Sequence, residues 1–366
     1  MLSKKNRFSL KMRKKKTNWI LYLAAFLLVL WPLSQKVYLS HYFTKVILHP
    51  QKTGITTLHF YDVERKRPVV TEIWYPIDPE TPSINPLGMW VRCGEARDAV
   101  LSNQKGTYPL IVLSHGHGGD RFNIAWLAEV LAANGYIVAS MDHYGNTWNN
   151  KIPEFYVRTW ERPKDVSFVI DQILHNSLFQ DRIDQNRIGF SGYSLGATTG
   201  LWIAGACVKE IEQSAFQQIC NQQLGETISL DKLKETDFKQ VFQSFHDQRI
   251  SAFFVMAPAL GWMFTEQSLK NIQPPFYIVA SEQDEIAPTE QNAKWFAKIM
   301  NRVSLKILKG NANHYTFLNR ATNVGRRFLH PRLYEDPQGV DRKKIQETLA
   351  KEAVLFFNQM PSQQNQ

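Results

Sequence analysis

The stretch RIGFSGYSLGATTGLWIA, residues 187–204, decides the fold of this chain. It holds a Gly-x-Ser-x-Gly pentapeptide centred on Ser194, between a run typical of a buried strand and a small, apolar run typical of a helix. That setting is typical of a nucleophile elbow, in which Gly192 and Gly196 leave room for a sharp turn. An ordinary Gly-rich turn is the alternative for the pentapeptide alone. The whole stretch predicts Ser194 as a nucleophile on an α/β sheet.

A serine hydroxyl needs a base to accept its proton and an acid to orient that base. In folds with this elbow, both follow the nucleophile along the chain. Of the ten histidines, only His314 and His330 lie beyond the apolar run 275–280. His314 stands in a Gly/Asn-rich loop after a strand-like run, whereas His330 lies in a basic segment typical of a surface. His314 is therefore the predicted base.

The acid is predicted in the segment SEQDE, residues 281–285, directly after the apolar run 275–280. Asp284 is the preferred carboxylate. Glu282 and Glu285 are close alternatives, because spacing alone does not determine which side chain faces the imidazole.

A second Gly-rich turn lies in YPLIVLSHGHGGD, residues 108–120, where a strand-like run precedes the glycines and an amphipathic helix follows over residues 122–135. The loop after this strand supplies one N–H of the oxyanion hole in proteins with the elbow, and the residue after the nucleophile, Leu195, supplies the other. Such donors contribute on the order of 3 kcal/mol each to transition-state stabilisation.

The same loop carries an alternative. His115, His117 and Asp120 have a spacing similar to that of metal ligands, so a metal-dependent hydrolase centred on His115 and His117 is a competing hypothesis. No further ligand set accompanies them in the sequence.

Strand-like runs alternate with helical patterns in the later part of the chain, which predicts an α/β fold: a mostly parallel, eight-stranded sheet with helices on both faces. The predicted strands are Thr56–Tyr61, Val69–Tyr75, Leu110–Ser114, Ile137–Asp142, Ile188–Ser191, Ala252–Ala257, Phe276–Ala280 and Val303–Leu308. Asp142 and His143 lie at the end of the fourth run and are expected at the rim of the site, with a structural role as the alternative.

A polar, Gln-rich insertion covers residues 207–248 and is either a helical cap over the site or a solvated helix pair. Cys207 and Cys220 lie within it and could pair in an oxidising compartment, closing a loop worth about 3 kcal/mol. Two free thiols are the alternative, and Cys93 would stay unpaired.

The formal net charge of +10 is concentrated at the N-terminus, where residues 1–16 carry eight Lys or Arg and no acid. The body is therefore close to neutral, and the charge does not indicate a nucleic-acid partner. Nineteen uncharged residues follow, enough for a helix of about 28 Å that spans a membrane. The predicted organisation is a basic cytoplasmic tail (1–16), a transmembrane signal anchor (17–35), a linker (36–55), a catalytic domain (56–360) and a tail (361–366).

The basic flank predicts that the N-terminus stays inside and the catalytic domain is exported. We expect a single-pass protein of a bacterial inner membrane with a periplasmic catalytic domain. Secretion after signal cleavage is the alternative, although good small-x-small cleavage sites are missing around residues 34–40.

Several motifs occur together in a fixed order along residues 56–358. They are SHGHGG (114–119), YIVASMDHYGNT (136–147), RPKDVSFVID (162–171), GYSLG (192–196) and HYTFL (314–318). This set resembles the bacterial branch of the platelet-activating-factor acetylhydrolase and dienelactone-hydrolase-like α/β-hydrolases. The resemblance implies Ser194 as nucleophile, Asp284 as acid and His314 as base, with the N–H groups of His117 and Leu195 as the oxyanion hole.

Two positions of the elbow depart from that family. Relatives often have histidine at the position of Tyr193 and glycine at that of Ala197. Dienelactone hydrolases proper use cysteine where this chain has Ser194, so dienelactone itself is not the expected substrate.

The predicted function is hydrolysis of carboxylic esters through an acyl-enzyme, without a cofactor. The aromatic and apolar residues near strand ends favour a small or lipid-like apolar ester; they are Trp148, Trp160, Trp262, Met263 and Phe264. Besides the metal-dependent hydrolase, a non-catalytic envelope binding protein of the same fold is the alternative. The sequence predicts no oligomeric state.

Overall fold

The structure, a computed structural model, describes residues 52–215, 218 and 237–362. Within these residues, one nine-stranded sheet has the order β3-β1-β2-β5-β4-β6-β7-β8-β9. All pairs from β5 to β9 are parallel, and β2 is antiparallel to both of its neighbours. The strands are β1 Thr53–Asp62, β2 Arg67–Tyr75, β3 Glu95–Arg97, β4 Tyr108–Ser114, β5 Ile137–Met141, β6 Ile183–Tyr193, β7 Ile250–Met256, β8 Phe276–Ser281 and β9 Val303–Leu308.

All eight predicted strands are present, and the mostly parallel sheet is confirmed. The count of eight is corrected to nine by β3. This strand has only three residues, of sequence EAR, and pairs in parallel with β1 from Thr53 to Ile55. It lacks an apolar run because it lies at the edge of the sheet, where pairing with β1 rather than burial on two faces defines it.

Helices cover both faces of the sheet because the central strands are apolar on both sides. In β4, Leu110 and Val112 pack into one hydrophobic core, and Ile111 and Leu113 pack into the other. The first core contains α3 and α4, and the second contains α1 and α8. The described helices are α1 Ala125–Ala133, α2 Pro153–Val157, α3 Glu161–Leu174, α4 Leu195–Ile203, α5 Glu266–Lys270, α6 Ala293–Ile299, α7 Gly325–Phe328 and α8 Arg342–Asn358.

The predicted insertion at 207–248 is described for residues 207–215, 218 and 237–248. Its second part contains a 3₁₀ helix, Phe238–Phe242, whose Val241 is fully buried against the first core. The rest of the insertion, including Cys220, lies outside the described residues.

The predicted basic tail and membrane anchor, residues 1–35, also lie outside the described residues, as do most of the linker and residues 363–366. In the part of the chain that is described, no helix is both long and apolar enough to cross a membrane.

Candidate active site

The elbow forms where β6 ends and α4 begins. Ser194 joins them with φ 55° and ψ −120°, a conformation that non-glycine residues rarely adopt. Its N–H donates to the Met256 carbonyl at 2.9 Å. A Cβ atom on Gly192 would lie 2.4 Å from the Gly196 oxygen, and one on Gly196 would lie 2.0 Å from the Ser114 oxygen. Both glycines are therefore required by close backbone contact, as the sequence predicts.

The structure brings the three predicted side chains together. The Ser194 Oγ lies 2.9 Å from the His314 Nε2. The His314 Nδ1 lies 2.8 Å from one Asp284 oxygen and 3.0 Å from the other. The N–H groups of Ile286 and Ala287 donate to Asp284 Oδ1 at 3.0 and 2.7 Å, so the loop itself orients the carboxylate. This arrangement can pass a proton from the hydroxyl to the imidazole.

The two alternative acids point elsewhere. Glu282 is exposed and accepts hydrogen bonds from the Lys309 ammonium at 2.8 Å and the Gly310 N–H at 3.1 Å. Glu285 is exposed as well, whereas Asp284 is buried against the imidazole. Of the three carboxylates, only Asp284 has a hydrogen bond to His314.

Tyr193, which the sequence marks as a departure from the family's elbow without a role, contacts the site. Its hydroxyl donates to the His314 carbonyl at 3.1 Å, and the two rings lie 5.1 Å apart. Burial, followed by the charge of Asp284, raises the pKa of Tyr193 well above its ordinary value, so its hydroxyl stays protonated as a donor. Its place directly before the nucleophile is the signal that could have indicated this support.

The loop after β4 lies against the nucleophile. A Cβ atom on Gly116 would lie 2.9 Å from the Tyr193 ring and 3.4 Å from the Ser194 Cβ. Gly118 has φ 62°, and its N–H donates to the Asn146 side-chain oxygen at 3.3 Å. Neither the His117 N–H nor the Leu195 N–H donates a hydrogen bond to any described residue. The two predicted oxyanion donors are therefore available to an added group.

Known proteins share this architecture. A ferulic acid esterase from Streptomyces cinnamoneus superposes with a TM-score of 0.59 at 19% identity, over 86% of this chain and 92% of that one. The chain has the α/β-hydrolase fold. The family described as platelet-activating factor acetylhydrolase, isoform II, matches residues 89–149 of the chain. The resemblance stated from the motifs is thereby confirmed.

The curated proteins that this chain resembles in sequence include cutinases. One from Thermobifida alba is 30% identical over 103 residues, which are 28% of this chain and 31% of the relative. One from Thermobifida cellulosilytica is 27% identical over 103 residues, covering 28% of this chain and 36% of that cutinase. The chain thus spans about a third of the length of these relatives.

The histidines of the competing metal hypothesis have other contacts in the structure. The His115 Nδ1 lies 2.6 Å from the Gly116 oxygen, and its Nε2 accepts the His143 N–H at 3.2 Å. The His117 ring packs edge-on against Tyr156 at 4.3 Å. Burial, with the charge of Arg162 second, lowers the pKa of both imidazoles, that of His117 to about 3. Among the described residues, no three His, Cys, Asp or Glu side chains form a group that could hold a metal.

The remaining predicted residues have mixed positions. Trp160, Met263 and Phe264 are buried in the core, whereas Trp148 is 52% exposed and donates from its indole to Asp120 at 2.7 Å. A cavity of about 290 Å³ adjoins the His314 loop and includes Ile286 and Tyr315 in its lining.

The cysteines leave the disulfide prediction open. Cys207 is half-buried, with its sulfur 3.6 Å from the Gly205 oxygen. Its predicted partner, Cys220, lies outside the described residues, so the pairing stays a prediction. Cys93 is a buried free thiol.

Proposed function

We propose that this α/β-hydrolase hydrolyses carboxylic esters with Ser194 as nucleophile, His314 as base and Asp284 as acid. The observation that carries the proposal is the hydrogen-bonded chain Ser194–His314–Asp284, whose first member stands on a strained elbow. Nucleophile, base and orienting acid in hydrogen-bond contact are the arrangement that activates a serine.

In the first half of the reaction, the Ser194 Oγ attacks the ester carbonyl carbon while the His314 Nε2 accepts its proton. Asp284 accepts the Nδ1–H, which keeps the acceptor nitrogen facing the serine and stabilises the imidazolium. The N–H groups of His117 and Leu195 donate to the developing oxyanion. As the C–O bond breaks, His314 returns the proton to the leaving alcohol and the acyl group stays on Ser194.

In the second half, water attacks the acyl-enzyme carbonyl and His314 takes its proton. Collapse of the second tetrahedral intermediate releases the carboxylic acid and restores the Ser194 hydroxyl. The cycle balances with one ester and one water, so no cofactor is required.

The proposed substrate is a small or lipid-like apolar ester. The relatives bear the names cutinase, ferulic acid esterase and platelet-activating factor acetylhydrolase, which share ester hydrolysis. Trp148 is exposed and lies next to the oxyanion loop, since its backbone N–H donates to the Gly119 carbonyl. Ile286 is exposed as well and lies two residues after the acid. These side chains offer apolar contact beside the oxyanion loop and beside the acid.

A panel of p-nitrophenyl esters from acetyl to palmitoyl tests the proposal, with Ser194→Ala as control. We expect hydrolysis by the wild type, a preference within the series, and loss of activity in the variant. Turnover that persists in Ser194→Ala would contradict the proposal. Turnover that a chelator abolishes would favour the metal-dependent alternative, and no turnover of any ester would favour a binding protein.

We also propose that residues 17–35 span a bacterial inner membrane and anchor the catalytic domain on its periplasmic side. The support is the uncharged segment behind eight basic residues. N-terminal sequencing of the native protein from membrane and soluble fractions tests this. We expect the intact N-terminus in the membrane fraction, whereas a start near residues 34–41 in the soluble fraction would show a processed, secreted enzyme.

A further inference from the structure

A second Ser–His–Asp chain lies behind the oxyanion loop. The Ser114 Oγ is 2.8 Å from the His143 Nε2, and the His143 Nδ1 is 2.9 Å from the Asp165 Oδ2. The relative exposure of these residues is 0%, 1% and 1%, so no ester carbonyl can reach Ser114. The chain therefore does not form a second active site, and its role must lie in what it holds.

Its charges are fixed by the surrounding arginines. Arg67 and Arg65 contact Asp165 Oδ1 at 2.5 and 2.9 Å. Burial opposes ionisation of Asp165, but Arg67 and then His143 outweigh it, so its pKa lies well below the ordinary value. Burial, with Arg162 second, lowers the pKa of His143 to about 4. At neutral pH a neutral His143 thus donates from Nδ1 to the carboxylate and accepts the Ser114 hydroxyl at Nε2.

Arg162 lies on α3, three residues before Asp165, and contacts the loop. Its Nη2 donates to the His115 carbonyl at 2.5 Å, and the whole side chain is buried. Its Nε and Nη1 have no hydrogen-bond partner among the described residues. Burial lowers its pKa to about 9, with the charge of Asp165 opposing, so the guanidinium remains a cation at neutral pH. Burying this cation with the His115 carbonyl and the His115 Nδ1, at 3.3 Å, as its polar contacts costs free energy, so its presence here indicates a role in the loop.

The next peptide is the one that carries the predicted oxyanion donor. The backbone N–H of His143 donates to the His115 Nε2 at 3.2 Å, which leaves the proton of His115 on Nδ1. This Nδ1 lies 2.6 Å from the Gly116 carbonyl and 3.3 Å from the Arg162 Nη2, and since the carbonyl can only accept, the Nδ1–H donates to it. Gly116 C=O and His117 N–H belong to one planar trans peptide, in which they point in opposite directions. Fixing the Gly116 carbonyl therefore fixes the direction of the His117 N–H.

We propose that Arg162 and the buried Ser114–His143–Asp165 chain are positioning residues that act through His115 to aim the His117 N–H at the oxyanion. This inference rests on the proposed function. Arg162 holds the carbonyl on one side of His115, His143 holds its imidazole, and the imidazole orients the donor peptide. A peptide whose carbonyl already accepts a hydrogen bond is also the stronger donor, because hydrogen bonds in a chain polarise one another.

Two pairs of variants test the proposal by steady-state kinetics on the preferred p-nitrophenyl ester. Arg162→Met should lower kcat about 10- to 100-fold with KM within about twofold, and Arg162→Lys should recover most of the loss because an ammonium can still donate to the carbonyl. His115→Asn keeps a donor near the Nδ1 position, whereas His115→Gln keeps only a group near Nε2. We expect His115→Asn to be the more active of the two.

A thionoester substrate separates positioning from general damage. Its sulfur accepts hydrogen bonds weakly, so a misaimed donor should slow the thionoester much less than the oxygen ester. Arg249→Met and Ser140→Ala are the matched controls. Arg249 is a half-buried, ion-paired arginine before β7, and Ser140 is a buried β5 hydroxyl without a partner among the described residues. Both controls should keep kcat within about twofold.

Amide hydrogen exchange tests the positioning without using activity. Faster exchange confined to residues 115–119 is expected in Arg162→Met and His115→Gln, but not in the controls. Unchanged exchange and unchanged kcat in folded Arg162→Met would overturn the proposal. Equal losses of kcat on the oxygen ester and the thionoester would overturn it as well, as would a higher activity in His115→Gln than in His115→Asn. If the Arg162 variants do not fold, the His115 pair decides. If the wild type hydrolyses no ester, the proposed function fails, and the exchange pattern alone decides the positioning role.

Discussion

Two Ser–His–Asp chains lie side by side in this protein and differ in almost nothing but their surroundings. The serine-to-imidazole distances are 2.9 Å at Ser194 and 2.8 Å at Ser114, and the imidazole-to-carboxylate distances are 2.8 and 2.9 Å. Ser114 and Gly192 are direct partners in neighbouring strands. Hydrogen-bond geometry alone would therefore assign both serines the same chemistry.

The backbone and the charges separate the two. Ser114 is the last residue of a regular strand and is fully enclosed, whereas Ser194 has left its strand with a positive φ. The carboxylate beside Ser194 is held by backbone N–H groups of its own loop, whereas Asp165 is held by two arginines. The strained turn leaves Ser194 8% exposed, whereas Ser114 is fully enclosed, and the ion pairs of Asp165 hold the buried Ser114–His143–Asp165 chain in one arrangement.

Removing the two hydroxyls is the strongest way to break the comparison. Ser194→Ala should lower kcat by about 10⁴-fold or more, because the covalent step disappears, and a fluorophosphonate probe should label Ser194 alone. Ser114→Ala should lower kcat less than about 30-fold and leave labelling intact. Mass spectrometry of the labelled peptide checks both outcomes. A probe adduct on Ser114 would make the two chains equivalent after all.

Replacing Asp284 should affect activity, whereas replacing Asp165 should affect stability. Asp284→Asn should lower kcat about 10³- to 10⁴-fold with little loss of stability, because the imidazole loses its orienting carboxylate. Glu282→Gln and Glu285→Gln are the controls from the same loop and should cost less than about threefold. If either control proves as damaging as Asp284→Asn, the acid has been assigned to the wrong side chain.

Asp165→Asn should instead destabilise the fold. Removing this carboxylate leaves the buried Arg67 with Glu161, at 3.1 Å, as its remaining acidic partner and takes a partner from Arg65 as well, which costs about 3–5 kcal/mol of unfolding free energy. Urea unfolding followed by tryptophan fluorescence measures the loss. Full stability in Asp165→Asn would show that the arginines do not depend on this ion pair.

The buried imidazole gives the smallest expected effect, and it depends on pH. With a folded pKa of about 4 against an ordinary value of 6.5, His143 binds fewer protons in the folded state than in the unfolded state between these limits. Stability therefore rises with pH across this window, by up to about 3 kcal/mol, and His143 adds no slope below pH 4. The unfolding free energy of His143→Gln, measured from pH 4.5 to 7.5, should be flatter than that of the wild type. Parallel curves would rule out this source of the slope.

The sequence predicted the parts of this molecule that follow from local pattern. Buried central strands appear as apolar runs, and Gly192 and Gly196 indicate the elbow. Asp284 could not be separated from its neighbours, because which carboxylate faces the imidazole depends on loop geometry. Strand β3 was missed because a three-residue edge strand carries no pattern of its own.

The buried Ser114–His143–Asp165 chain and its arginines could not be predicted from the sequence for a different reason. His143 and Asp165 are 22 residues apart, and Arg67 comes from a strand far earlier in the chain. The fold brings these three residues together by pairing β2 with β5 and packing α3 beside them. His143 was expected at the rim of the site, with a structural role as the alternative, and its full burial favours the alternative.

Gly196 rests on the Ser114 carbonyl so closely that no side chain fits between them. The spacing between the two loops that carry the proposed oxyanion donors is consequently set by contact of main chain with main chain. Side chains that line the substrate cleft can then change in size and polarity without moving the reacting atoms. Under the proposed function, selection can alter which ester is accepted while the catalytic residues keep their positions, and a laboratory search for new specificity should leave this one contact unchanged.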